Sequence, residues 1–203
     1  MFEKLIKDSL VWFPEREIGY YPVSGSPYNG EYFRKYQLYA STEMGKRITN
    51  ARIELVLKHS NDTVLDVGIG SGDFIQTHGN AYGYDVNKEA ICWLESMQLY
   101  RCLYTGLHSS ATFWDSLEHI KEPDLAIKNV KKFVFISIPI FRNYNGILHS
   151  KHFRKNEHYW YFTHNGLINW FWENGFECVE CNDMEISLGR EDIGTFVFRR
   201  RNA

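Results

Sequence analysis

The chain has 203 residues, a formal net charge of −2 and 44% hydrophobic residues, values that fit one globular domain able to bury a full core. This balance excludes a general electrostatic pull toward nucleic acid or an acidic membrane, and no run is apolar and long enough for a membrane span. Cys92, Cys102, Cys178 and Cys181 make no secreted disulfide framework in a chain of this size. Residues 1–8 hold no uninterrupted apolar stretch, so the cytoplasm is the expected location.

Residues 1–40 are rich in aromatics, from Trp12 and Phe13 through Tyr20, Tyr21, Tyr28, Tyr32 and Tyr36 to Tyr39, with Pro14, Pro22 and Pro27 interrupting any long helix. Such a stretch is too aromatic for a disordered tail. It is expected either to pack as an arm on the domain of residues 41–203 or to act as a lid over a bound ligand. Ser41 or Thr42 can cap a helix whose apolar stripe, Met44, Ile48, Ile53, Leu55 and Val56, runs to His59.

Val64-Leu65-Asp66-Val67 has the β-branched apolar content of a buried strand, and Gly68, Gly70 and Gly72 follow on alternate positions where the backbone must turn sharply. A dinucleotide fingerprint would need a glycine where Asp73 stands, and Asp73 with Asp66 would repel a pyrophosphate. The expected ligand is instead a cationic small molecule with an amino-acid end. Ala81-Tyr82-Gly83-Tyr84 forms a second apolar stretch ending in Asp85, a carboxylate placed to accept both hydroxyls of a ribose.

Val64 to Phe74 followed by Asp85 resembles the class I S-adenosylmethionine-dependent methyltransferases. The resemblance implies a Rossmann-like, doubly wound α/β domain with a mostly parallel seven-stranded sheet, an antiparallel last strand and an added aromatic N-terminal arm. It implies S-adenosylmethionine as cofactor, with Asp66, Gly68, Gly70 and Gly72 around the methionine part, Asp85 at the ribose, and Val86 and Phe113 completing the site.

Further along, Phe74 to His78 is a brief helix stopped by Gly79-Asn80, and Asn87 caps a helix reaching Gln98. A third strand falls near Cys102 to Tyr104 and a fourth at Ala111 to Trp114. Lys131 to Pro139 is a central strand, apolar almost throughout as burial by helices on both faces demands, and Pro139 is expected to end it. Residues 140–160 form a long basic and aromatic loop. Thr163 caps a helix ending at Asn174-Gly175, and Phe176 to Cys181 with Thr195 to Arg199 close the sheet. Arg199-Arg200-Arg201 is expected to be a solvated chain end.

On a helix entered after the fourth strand, Asp115, Glu118 and His119 would share one face. Relatives acting on small molecules carry a similar Leu-Glu-His turn, often structural. The alternative is a divalent-metal site. An acid followed three positions later by Glu-His looks like the metal-binding turn of the ubiquinone-biosynthesis O-methyltransferases. It is also similar to that of the RNA 3′-terminal 2′-O-methyltransferases of the small-RNA pathway, which recruit a further His from a later loop, where His158 stands here. Asp115, Glu118, His119 and His158 are thus the candidate ligands for Mg²⁺, Mn²⁺ or Zn²⁺. Without a metal, His119 or His158 is the candidate catalytic base.

Phe113-Trp114-Asp115-Ser116 stands where amino-methylating nucleic-acid enzymes of the class carry Asn-Pro-Pro-Tyr, and no Pro-Cys pair offers a nucleophile for cytosine C5. The expected activity is therefore S-adenosylmethionine-dependent methyl transfer, EC 2.1.1 class, to an oxygen of a small molecule or a ribose. An RNA 2′-O-methyltransferase with a divalent metal, and a cofactor-binding protein of this fold without turnover, are the alternatives.

Overall fold

In the computed structural model, residues 9–25 and 30–201 are described, Tyr32 by its backbone alone. Residues 1–8, along with Pro27 and Tyr28 of the aromatic stretch, lie outside the described residues. Two short strands, β1 (Val11–Phe13) and β2 (Ile18–Tyr20), precede α1 (Gly30–Ala40) and α2 (Glu43–His59). Then come β3 (Val64–Val67), α3 (Asp73–His78), β4 (Ala81–Tyr84), α4 (Lys88–Ser96), β5 (His108–Trp114), a 3-10 turn (Leu117–His119), α5 (Pro123–Lys128) and β6 (Val130–Phe141). The chain finishes with α6 (Tyr144–His149), β7 (Trp160–Thr163), α7 (His164–Glu173), β8 (Phe176–Asn182), α8 (Met184–Ser187) and β9 (Ile193–Arg200).

Side-chain caps fix the helix starts as the sequence implies. Thr42, Asn87 and Thr163 accept from the amides of Gly45, Glu89 and Gly166. At the other end of α3, Gly79 takes the left-handed conformation and returns its N–H to the Ile75 carbonyl.

β4, β3, β5 and β6 pair in parallel in that order, β9 runs antiparallel against β6, and β8 antiparallel against β9. Alternation along the strands sorts the core into two layers. Leu65, Val67, Val134 and Ile136 pack with Ala126 and Ile127 of α5 and Leu167 and Phe171 of α7. Val64 and Phe135 face Phe33, Leu55, Ile75 and Leu94 from α1 to α4. This is the doubly wound α/β fold expected, and no helix among the described residues is long and apolar enough to cross a membrane.

The sheet has nine strands rather than seven. The strand expected at Cys102 to Tyr104 does not form: the chain makes two hydrogen bonds with Gly83, through Leu99 and Arg101, and then turns through Gly106 at φ +78°. Three strands were not foreseen. β7 pairs with the last two residues of β6, and β2 and β1 continue outward from β7. Pro139 does not end β6. The Ser137 carbonyl faces β5 and takes the Asp115 amide, whereas the Ile140 amide faces the other way, to Asp192. Pro139 thus turns its missing N–H toward an edge that β5 has already left. Arg200 is not a solvated end either, since it stacks on Phe176 and donates to the carbonyls of Ile127, Lys128 and Val130.

Candidate functional site

A cavity of about 600 Å³ opens at the C-terminal ends of β3, β4 and β5, the crevice where open α/β sheets bind ligands. One end is made by backbone. Gly68 and Gly70 lie at φ +76° and +55°, and a Cβ at 68 would stand 2.7 Å from Ser116 Cβ. Bare glycine lets Ser116 approach and donate to the Val67 carbonyl at 2.6 Å. Asp66 is buried against Thr112, whose hydroxyl donates to it at 2.6 Å, and burial raises its pKa to about 7. Asp85 accepts from the Asn87 amide at 2.8 Å, and its pKa is also raised by burial. Asp66, Gly68, Gly70, Asp85 and Val86 all line the cavity.

Gly72 and Phe113 do not line it. A Cβ at Gly72 would strike the Trp93 ring at 2.6 Å, so that glycine serves packing. Phe113 is fully buried in the layer facing α5 and α7, and its neighbour Trp114 faces the cavity instead. Above the glycine turn sits α1, packed on α2 and α4, with Phe33, Tyr36 and Tyr39 lining the cavity.

Among the described residues, Asp115 does not join Glu118, His119 and His158 as a candidate metal ligand. The segment after β5 is a 3-10 turn rather than a helix, and Asp115 precedes it at φ +53°, so it does not share a face with Glu118 and His119. Its carboxylate instead meets Arg190 at 2.8 and 3.0 Å and Arg52 at 3.2 Å. Glu185, fully buried, binds the same two guanidiniums. Burial alone would raise the Asp115 pKa, but Arg190 and Arg52 hold it below the ordinary value. Arg52 also stacks over Trp114 at 5.0 Å. Nothing in the local sequence pointed to either arginine.

Glu118, His119 and His158 do come together, with one ligand atom from each within 4.8 Å of the others. The Tyr159 amide donates to the Glu118 carbonyl, and Trp160 Nε1 donates to the carbonyls of Ile120 and Lys121, which ties the turn to the segment entering β7. The rings of His119 and His158 meet edge to face at 4.5 Å. His119 Nδ1 lies 3.0 Å from the Glu157 carbonyl, so the proton sits there and the lone pair at Nε2. Both Glu118 carboxyl oxygens and His158 Nδ1 are buried without a hydrogen-bond partner. Burial, then the charge of Asp115, pushes the Glu118 pKa well up. Burial lowers His119 to about 4 and His158 to about 2.

A doubly wound sheet whose glycine turn and second-strand acid meet in one cavity is the arrangement of the class I methyltransferases. Residues 36–181 match the family model of the methyltransferase domain, and the chain belongs to that family. No curated protein matches its sequence. Among solved structures, it is similar to a putative methyltransferase from Haloferax volcanii solved with the activator Trm112: 12% identity, 85% of this chain, 97% of that one, TM-score 0.62. It is also similar to a possible histamine N-methyltransferase from Thermotoga maritima: 14% identity, 84% and 97%, TM-score 0.60. A third is the Burkholderia thailandensis 1,6-didemethyltoxoflavin-N1-methyltransferase, which binds S-adenosylhomocysteine: 12% identity, 94% and 98%, TM-score 0.55. At such identities the likeness is one of fold.

Proposed function

We propose that this chain transfers the methyl group of S-adenosylmethionine to a hydroxyl oxygen of a small molecule or a ribose. The observation that carries this reading is a bare, buried carboxyl, Glu118, set beside two neutral imidazoles in the same cavity as the glycine turn and Asp85. The cofactor fits the other end: Gly68 and Gly70 present backbone at the cavity wall for the methionine part, and Asp85 would accept the ribose hydroxyls beside Val86. Bound there, S-adenosylmethionine supplies an electrophilic methyl group. The chain's task is then to align an acceptor oxygen and exclude water. α1, with its three cavity-facing aromatics, is the lid that does the excluding.

His119 keeps its lone pair at any physiological pH, yet a pKa near 4 makes it a weak base. Proton removal therefore needs an ionised Glu118 beside it or a cation in the cluster. Glu118, His119 and His158 fit a divalent cation, being mixed oxygen and nitrogen donors with an unsatisfied carboxylate and one imidazole oriented by a carbonyl. Such a cation would lower the pKa of the acceptor hydroxyl.

Calorimetric titration with S-adenosylhomocysteine is the test. The wild type should bind, and Asp85→Ala should weaken binding by roughly 10- to 100-fold, as expected for a lost hydrogen bond to a charged group. Folded protein that gives no heat overturns the reading. Methyl incorporation into a panel of hydroxyl acceptors, with and without a chelator, then reads out the chemistry and the cation.

A further inference from the structure

The cavity's charges are distributed unevenly. Asp115 is neutralised by Arg190 and Arg52, Asp66 is held by Thr112, and Asp85 belongs to the ribose end. Three cationic side chains from three separate elements line the same cavity: Lys35 from α1, Lys121 just past the 3-10 turn, and Arg154 from the turn that delivers His158. Among the described residues neither lysine ammonium has an ion-pair or hydrogen-bond partner.

Arg154 reaches only Glu157, at 3.3 Å, and with its side chain 48% exposed that pair is a weak restraint. Its carbonyl accepts the amides of Glu157 and His158, so the backbone that carries the guanidinium is fixed beside the histidine pair. All three cations are solvent-exposed, and an uncharged acceptor would leave them to water. An anion gives Arg154 a two-pronged partner and Lys121 a point contact. In a chain of net charge −2, the cations mark the mouth of a pocket rather than a surface made to follow a polymer.

We propose that the methyl acceptor is a small anionic molecule whose phosphate or carboxylate is held by Lys121 and Arg154, with Lys35 brought over it by α1, while its hydroxyl points inward to Glu118, His119 and His158. This assignment rests on the methyltransferase reading and names the substrate class of that site.

The probes are inorganic phosphate, benzoate and uncharged benzamide, titrated into the protein with and without saturating S-adenosylhomocysteine. Phosphate or benzoate should bind at least about tenfold more tightly than benzamide, and whichever of the two wins separates a phosphate ester from a carboxylate. Lys121→Gln and Arg154→Gln should each weaken the anion by roughly three- to tenfold, and Lys121→Glu by more, with S-adenosylhomocysteine affinity unchanged as the control for folding. Equal binding of benzoate and benzamide with none of phosphate, or variants that bind anions like the wild type, overturns the proposal. A single-stranded RNA that binds far more tightly than phosphate, with a steep loss in salt, overturns its small-molecule part. The methyltransferase reading fails separately, through absent S-adenosylhomocysteine binding, because the anion titrations also run without that ligand.

Discussion

At the glycine-turn end of the cavity, polar side chains are held by the chain itself: Asp66 by Thr112, Asp85 by the Asn87 amide, Ser116 on the Val67 carbonyl. At the other end, both Glu118 carboxyl oxygens and His158 Nδ1 are buried without a hydrogen-bond partner among the described residues. Each such group costs on the order of 1–3 kcal/mol. Asp66, Asp85 and Ser116 are therefore satisfied before anything binds, whereas Glu118 and His158 are not. Between them, Asp115 and Glu118 stand three positions apart with opposite fates, one clamped as an anion by two guanidiniums and one bare and pushed toward its neutral form.

The strongest challenge to this contrast is Arg190→Met. It strips the buried Glu185 and the part-buried Asp115 of a shared partner, and urea denaturation should show a loss of about 3–5 kcal/mol; near wild-type stability would mean that clamp is not what separates the two ends. Next comes His119→Gln. In the folded chain His119 titrates near 4 against an ordinary 6.5, so the unfolded state binds the extra proton and stability falls as pH drops from 6.5 to 4. Melting curves across that window should be flatter in the variant, by at most about 3 kcal/mol.

Gly68→Ala tests the preformed end. Its Cβ meets Ser116 at a left-handed φ, so stability should fall by roughly 1–3 kcal/mol and S-adenosylhomocysteine affinity should fall with it. The smallest effect on stability belongs to Glu118→Gln. Because the folded pKa is raised, the stability Glu118 contributes is present below its unfolded value of about 4.3 and fades as pH rises toward the folded value. With a chelator present, the variant should be about 1 kcal/mol more stable than the wild type at pH 8 and equal to it near pH 4. It should also lose methyl transfer, and a variant that keeps full activity would remove Glu118 from the chemistry.

What was legible in the sequence was local. Gly68, Gly70 and Asp85 line the cavity and Thr42, Asn87 and Thr163 cap their helices as expected, each set by a few neighbouring residues. Glu118 with His119 is a local motif too, and His158 joins it across the fold. Asp115 was misplaced because its partners Arg52 and Arg190 lie 63 and 75 positions away, and spacing on a presumed helix says nothing of them. The same distance hid the pairing of β2 with β7, since three-residue strands carry almost no periodic signal. Phe113 and Trp114 were exchanged by a single step of strand alternation.

The hairpin of β1 and β2 grips the chain on either side of the residues that follow His158. The Tyr21 amide donates to the Tyr159 carbonyl, and the Thr163 hydroxyl donates to Glu17 while capping α7. His158 is thus stationed by contacts from Glu17 and Tyr21, and the glycine turn by the central strands. In the proposed reaction, drift in the hairpin would retune which molecule is modified while the donor stays bound as before, leaving the two halves open to selection independently.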